Sequence, residues 1–461
     1  MTRHVLDRDV RRSDGGRLLA GGVPARLVRL SPVGAAALDA LLAGRDHPGA
    51  ARLGRRLREQ GLLHPVAGEG GAATTFVVPV RNGGAGLAAL VRSLRAWGEV
   101  IVVDDRSTDD SAGRAARAGA RVIANHGAPG PAGARNAGLA AADSGFVAFV
   151  DADCACPADW ARPLADLLAA DPGLALVAPR IRSAPGPGAI ARFERRRSPL
   201  DMGPDPALVG RGRRVAYVPA TALVGRRRAL LELGGFDEEL RFGEDVDLVW
   251  RLVERGWRVR YAPERQVAHR PRPTLAAFAR QRFEYGSSAA RLDRRHPGAV
   301  APLRLDRRRL ALALAAGRGA RSAAAAASVL AALAAMRRTD AASAVAVARL
   351  AARADAESLA RLAGALSREW APLTLAASLA SRRARRLALA CLACDLLDGG
   401  GRPPAGRAVA EAPMRLLDNL SYAAGLWHGA LSLRSPRALL PAASRRRPGR
   451  RSPRRHEILL S

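Results

Sequence analysis

Two carboxylates one residue apart end the stretch "FVAFVDAD", residues 146–153, where a fully apolar run meets Asp151 and Asp153. In extended chain, positions i and i+2 point to one side, so the two acids converge on one spot. Converging carboxylates repel unless positive charge lies between them, and a hard divalent cation on a diphosphate, bound through oxygen ligands, supplies it. Taken alone, the same residues also read as a turn and capping cluster ahead of "CPADW".

Other acids recur in the same setting. Asp104 and Asp105 end the apolar run of "EVIVVDDRSTDDS", with Ser107, Thr108 and Asp109 ready to cap a following helix. "GPAGARNAG" is a small-residue turn opening a helix, from which Arg135 can meet a phosphate. Glu244, Asp245 and Asp247 begin the amphipathic period "EDVDLVWRL". Acids there offset the helix dipole, and in a site holding a metal one of them can take a proton from an incoming hydroxyl. His269, after a short strand in "QVAHRPRP", reads as a further metal ligand or as a structural histidine.

The elements that must hold these residues follow from periodicity. "TTFVVPV", "EVIVVDD", "ARVIAN", "FVAFVD" and "LALVAPR" read as strands, alternating with helical periods such as "GLAALVRSLRAWG" and "DDSAGRAARAG". That alternation predicts an α/β fold with a mostly parallel sheet covered by helices on both faces. Ligands of such sheets bind beyond the carboxyl ends of the strands, where "DAD" and "DD" fall. Residues 1–70 form a separate strand-then-helices module that resembles small winged-helix-like peptide-recognition domains, which predicts docking of an acceptor or partner protein, or packing against the next domain. Residues 74–300 read as the α/β domain that carries these acids and is therefore expected to be catalytic, 301–443 as an Ala/Leu/Arg-rich helical region, and 444–461 as a basic tail too polar and Pro-interrupted to fold alone.

Composition bounds the rest. The 461 residues carry 74 basic and 42 acidic side chains, a net charge of +32, and every basic residue other than histidine is arginine. Charge spread in this way reads as solvated surface or as a surface for an anionic partner, and it favours a phosphate-bearing substrate in either case. The four cysteines are too few for a disulfide framework; Cys391 and Cys394 share a helix face, as small apolar residues do, and suggest no zinc. The start of the chain has no apolar signal region, which predicts a cytoplasmic protein. Ser322–Met336, the longest uncharged run of the C-terminal region, is shorter than the roughly 20 apolar residues of a spanning helix. Arginine-flanked helices and the tail from Arg445 to Arg455 predict peripheral attachment to the anionic cytoplasmic membrane face, or else a soluble bundle.

In order, "VVPVRN", "VVDDRSTD", "GPAGARNAG", "FVDAD", "VPATALVGRR", "GGFDEELRFGEDVDLVWRL" and "AHRP" resemble the motifs of the inverting family 2 glycosyltransferases of the GT-A fold, across residues 74 to 290. The resemblance implies transfer of a hexose from a nucleotide-sugar donor, assisted by Mg2+ or Mn2+. It implies nucleotide-sugar contacts from Pro79, Asp104, Asp105, Arg135 and Asp151, and a metal-diphosphate site at Asp153 completed by His269. Asp245 would be the catalytic base and Glu244 its orienting neighbour. More narrowly, "RRSPLDMG", "VAYVPATALVGRR" and "EYGSSAARLDRRHPG" are similar to members that add glucose, from UDP-glucose, to a peptide-derived redox cofactor. One departure is "RQRFEYG", where processive members follow glutamine and arginine with tryptophan; Phe283 and Tyr285 there stack on an acceptor sugar or pack within a helix.

Two other classes compete. Gly84 to Ala89 matches G-x-G-x-x-A with Asp104 about 20 residues on, as in a nucleotide-dependent oxidoreductase, but "RN" separates the strand from the glycines. That fingerprint gives no account of the later acids or of His269. A non-enzymatic basic protein binding membrane or nucleic acid explains the charge and none of the acids, so no nucleic-acid partner is expected.

Overall fold

The computed structural model describes residues 3–22, 25–66, 71–157, 159–305, 360–397 and 405–443. The chain divides into two compact units, Met1–Asp7 with Leu57–Phe278, and Arg8–Arg56 with Ala279–Ser461. The expectations for Ser322–Met336 and for the basic tail lie outside the described residues.

The N-terminal strands are β1 (His4–Leu6), β2 (Arg11–Ser13), β3 (Leu18–Gly21), β4 (Arg26–Arg29) and β5 (Leu63–Pro65). In the first unit β1 pairs antiparallel with β5. In the second, β2, β3 and β4 form an antiparallel meander leading to the helix Pro32–Ala43, where Ser31 Oγ accepts from the Gly34 N–H at 3.1 Å.

The first unit is built on a nine-stranded sheet. Its strands are β6 (Thr74–Val80), β7 (Val100–Asp104), β8 (Arg121–Ala124), β9 (Phe146–Val150), β10 (Cys154–Ala155), β11 (Leu174–Ser183), β12 (Ala207–Val209), β13 (Ala222–Arg226) and β14 (Arg258–His269). They lie in the order β10-β14-β11-β13-β9-β6-β7-β8, with β12 also on β14. β6, β7, β8, β9, β11 and β14 run one way and β10, β12 and β13 against them, so the sheet is mostly parallel as the alternating pattern predicts. The apolar runs of β7 and β9 are buried from Val100 to Val103 and from Val147 to Val150, with Phe146 half-buried at the start of β9, because helices cover both faces. Phe76, Val78, Val102, Val150, Leu164 and Val224 are among the side chains of the core on one face.

The helix Pro131–Ala141 lies close on this sheet because its inner positions are small. A Cβ on Gly138 would come within 2.2 Å of Val77 Cγ1, so only glycine permits that approach. The helix Leu275–Arg295 carries the chain out of the first unit. In the second unit a hairpin of helices, Ala371–Ala380 and Arg382–Leu397, is held at its base by Asp395, which accepts from Arg415 Nε at 2.7 Å and Asn419 Nδ2 at 3.0 Å on the helix Ala405–Ser432. Arg415 also reaches Asp418 at 3.0 Å, and Asp418 takes the buried Arg282 at 2.9 Å. Among the described residues no helix is long and apolar enough to cross a membrane.

Candidate active site

The predicted acids gather at the carboxyl edge of the parallel strands. Asp104 ends β7, and Asp151 and Asp153 lie in the turn between β9 and β10. His269 ends β14, and Glu244 and Asp245 open the helix Glu244–Glu254. That helix starts from Gly243 at φ +81°, a left-handed turn glycine adopts without strain, which is the local reason for "FGED".

Arg135 joins three of these elements. It is 3% exposed, and from the helix Pro131–Ala141 it donates through Nη2 to Asp151 Oδ1 at 2.7 Å and through Nη1 to Glu244 Oε1 at 2.8 Å. Its guanidinium also lies 5.4 Å from the centre of the Phe236 ring. Burial works against its charge, but the flanking carboxylates of Asp151 and Glu244 outweigh that and raise its pKa. Burial pushes the Glu244 carboxyl up to about 7, with the neighbouring Asp245 adding to the shift and Arg135 opposing it.

Asp245 is held by backbone. Oδ1 accepts from the Val246 N–H at 2.8 Å and Oδ2 from the Ala220 N–H at 3.2 Å. Burial raises its pKa against those two donors, which leaves a carboxylate more basic than usual. The Asp151 N–H donates to Thr221 O at 2.9 Å. The segment Ala220–Thr221 therefore links Asp151 to Asp245, and it stands there because antiparallel β13 starts beside the end of β9, Ala222 opposite Val150. Sequence reasoning missed this link; its signal is the small-residue entry "PAT" into a strand.

At the other end, Asp153 Oδ2 faces His269 Nε2 at 3.3 Å and Arg272 Nη1 at 3.5 Å. Burial disfavours the Asp153 carboxylate, but the hydrogen bond and charge of His269 hold its pKa below the usual range. Burial likewise opposes a charged His269, and Asp153 reverses this and raises it. The pair forms because β10 and β14 place Cys154 opposite His269. Among the described residues no group of three or more acid, histidine or cysteine side chains is arranged to hold a metal. Two ligands suit Mg2+ or Mn2+ when substrate phosphates and waters complete the shell. Burial pushes the Cys156 thiol up to about 12 and also raises Cys154 well above the ordinary thiol range, so neither supplies a thiolate here.

The nucleotide end divides two residues that the sequence treats alike. Asp105 is buried and fully engaged, accepting from Asn125 Nδ2 at 2.7 Å and the Gly130 N–H at 2.9 Å. Asp104 Oδ1 is buried without a hydrogen-bond partner. Pro79 is half-buried on β6 opposite Val103. Asn82 accepts from the Thr108 N–H at 2.8 Å and donates its own N–H to Ser107 Oγ at 3.0 Å, and Asp109 accepts from the Ser111 N–H at 3.1 Å. Asn136 ties a further loop, accepting from the Phe236 N–H and donating to Glu238, both at 2.8 Å. Phe283 and Tyr285 belong to the second unit. Half-buried there, the Phe283 ring is 5.4 Å from that of His428, and Arg282 lies 5.9 Å from the centre of the Tyr285 ring.

A glycosyl transferase family 2 model matches residues 75–234, and glycosyltransferases align along most of the chain. The chain belongs to the family 2 glycosyltransferases, which displaces both competing classes. It is 39% identical, over 95% of its own length and 96% of the other's, to the pre-mycofactocin glycosyltransferase of Mycobacterium tuberculosis. An uncharacterized glycosyltransferase of the same organism is 35% identical over 44% of this chain and 87% of its own. Among solved structures, a mannosyltransferase from Pyrobaculum calidifontis in complex with GDP-Man and Mn2+ matches 86% of this chain and 99% of its own at TM-score 0.41 and 18% identity. Glucosyl-3-phosphoglycerate synthase from Mycobacterium tuberculosis matches 49% and 80% at TM-score 0.35 and 23% identity.

Proposed function

We propose that this chain transfers glucose from UDP-glucose, with inversion, to a hydroxyl of a small peptide-derived acceptor, pre-mycofactocin, giving a β-glycoside. The observation that carries this reading is the 39% identity to a pre-mycofactocin glycosyltransferase along 95% of the chain. The gathering of Asp151, Asp153, His269 and Asp245 at one sheet edge supports the chemistry.

The acceptor oxygen attacks the anomeric carbon as the bond to the diphosphate oxygen breaks, UDP leaves, and the hydroxyl proton passes to Asp245. Asp245 suits that role because burial raises its basicity while two N–H groups fix its orientation. Glu244, engaged by Arg135, orients rather than accepts. Asp153 and His269 would hold a divalent cation, which when bound supplies positive charge to the departing diphosphate. Asp104, with its unpaired oxygen, is the nucleoside contact of choice, and Asp105 shapes the loop that follows it.

Purified protein incubated with a panel of sugar nucleotides and pre-mycofactocin tests this, read by nucleoside diphosphate release and by the mass and anomeric configuration of the product. Asp245→Asn keeps size and hydrogen bonding but accepts no proton, so turnover falls about 10²- to 10⁴-fold while donor affinity is preserved. A loss of donor affinity as large as the loss of turnover would make Asp245 a binding residue.

A further inference from the structure

The helical hairpin of the second unit exposes leucines on both of its helices and, between them in sequence, a run of arginines. Leu379 is 86% exposed and Leu389 61%, and Leu373, Leu375 and Leu387 are each more than half exposed. Between Leu379 and Leu387 lie Arg382, Arg383, Arg385 and Arg386, all exposed. From Ala371 to Cys394 the sequence contains no acidic residue. Asp395 anchors the base of the hairpin, and the four arginines lie 9 to 13 residues before it, about 14–20 Å along the helix.

We propose that this hairpin is a docking surface for an anionic lipid bilayer. Exposed leucines interleaved with guanidiniums match an interface in which alkyl groups enter the acyl boundary and cations meet phosphates. Charge selects this occupant over two others. A second copy of the hairpin would set arginine against arginine. The chain segment 306–359 carries nine arginines against four acids, so it too shares the sign of this surface. The hairpin lies on the surface and does not cross it, since among the described residues no helix is long and apolar enough to span.

The test is co-sedimentation of the full chain with vesicles of phosphatidylcholine, with and without phosphatidylglycerol, at low and high salt. Binding is expected to the anionic vesicles at low salt and to weaken with salt. Leu379→Asp combined with Leu389→Asp abolishes it. Arg382→Gln combined with Arg383→Gln lowers the partition coefficient about thirtyfold, since each basic residue at a leaflet surface contributes about a factor of five. All four positions are exposed, so both variants keep the wild-type circular dichroism spectrum. Equal binding to neutral vesicles, or binding that neither double variant alters, would overturn the proposal. Self-association that both variants abolish, with no vesicle binding, would assign the surface to a second copy and overturn it equally.

Discussion

Replacing Arg135 with methionine should unfold the first unit far more easily, and the size of the effect follows from its contacts. The change removes two charge-assisted hydrogen bonds, of 2.7 and 2.8 Å, and the guanidinium over Phe236. Each such bond is worth about 1.5–3 kcal/mol. Asp151 keeps a quarter of its side chain in water and recovers part of its solvation, whereas Glu244 is left buried and unpaired. Breaking a buried pair by removing one partner costs about 3–5 kcal/mol, and the loss should fall in that range. Part of it depends on pH. Glu244 has a folded pKa of about 7 against an ordinary 4.5, so the folded state holds a proton that the unfolded state releases. Stability from this group is present below 4.5 and is lost as pH rises through the folded value, at up to about 1.4 kcal/mol per pH unit. Without Arg135 the folded pKa rises further and the decline extends to higher pH, so the deficit of Arg135→Met should be larger at about pH 8.5 than at about pH 6. Urea unfolding followed by circular dichroism at both pH values measures it. A deficit under about 1 kcal/mol, or one that does not change with pH, would refute the buried clamp.

Two further substitutions probe the flanks of the site. Chelation of divalent cations should stop transfer, and Asp153→Ala should abolish both turnover and UDP-dependent binding of Mn2+, read by electron paramagnetic resonance, with the circular dichroism spectrum unchanged because the residue is partly exposed in the turn between β9 and β10. Asp105→Asn should raise the Michaelis constant for the donor about tenfold with little change in turnover, because Oδ1 accepts from Asn125 and Oδ2 from Gly130, and the amide NH2 would face one of those donors and rearrange the loop. An equal fall in turnover would instead put Asp105 in the chemistry.

Much of the scaffold is legible because its signals are local. The β-branched runs that become β6, β7, β9 and β11 are mostly buried, and burial on both faces writes a nearly uninterrupted apolar stretch, whereas β8 at the sheet edge is exposed or half-buried and its run is correspondingly short. The acids stand out because they interrupt those runs where each strand ends. Reversed β13 was not legible: "ALVGR" says nothing of direction, and its place between β9 and β11 depends on partners far along the chain. The Arg135 clamp escaped for the same reason, since Glu244 lies 109 residues from it. The division between Asp104 and Asp105 had a usable signal. Adjacent residues at a strand end point to opposite faces, so two neighbouring acids cannot share one ligand.

The ladder that joins β10 to β14 has a consequence for how such an enzyme can diversify. Asp153 and His269 are distant in sequence, yet two residue pairs, Cys154 with His269 and Ala155 with Ala268, bring them together. The intervening chain can lengthen, shorten or change its loops without moving that pair, provided β14 keeps its register on β11 from Arg180 to Ser183. The Asp153–His269 pair is thereby insulated from length changes elsewhere: insertions between β11 and β13 can vary while the strand pairing that joins the two residues stays fixed.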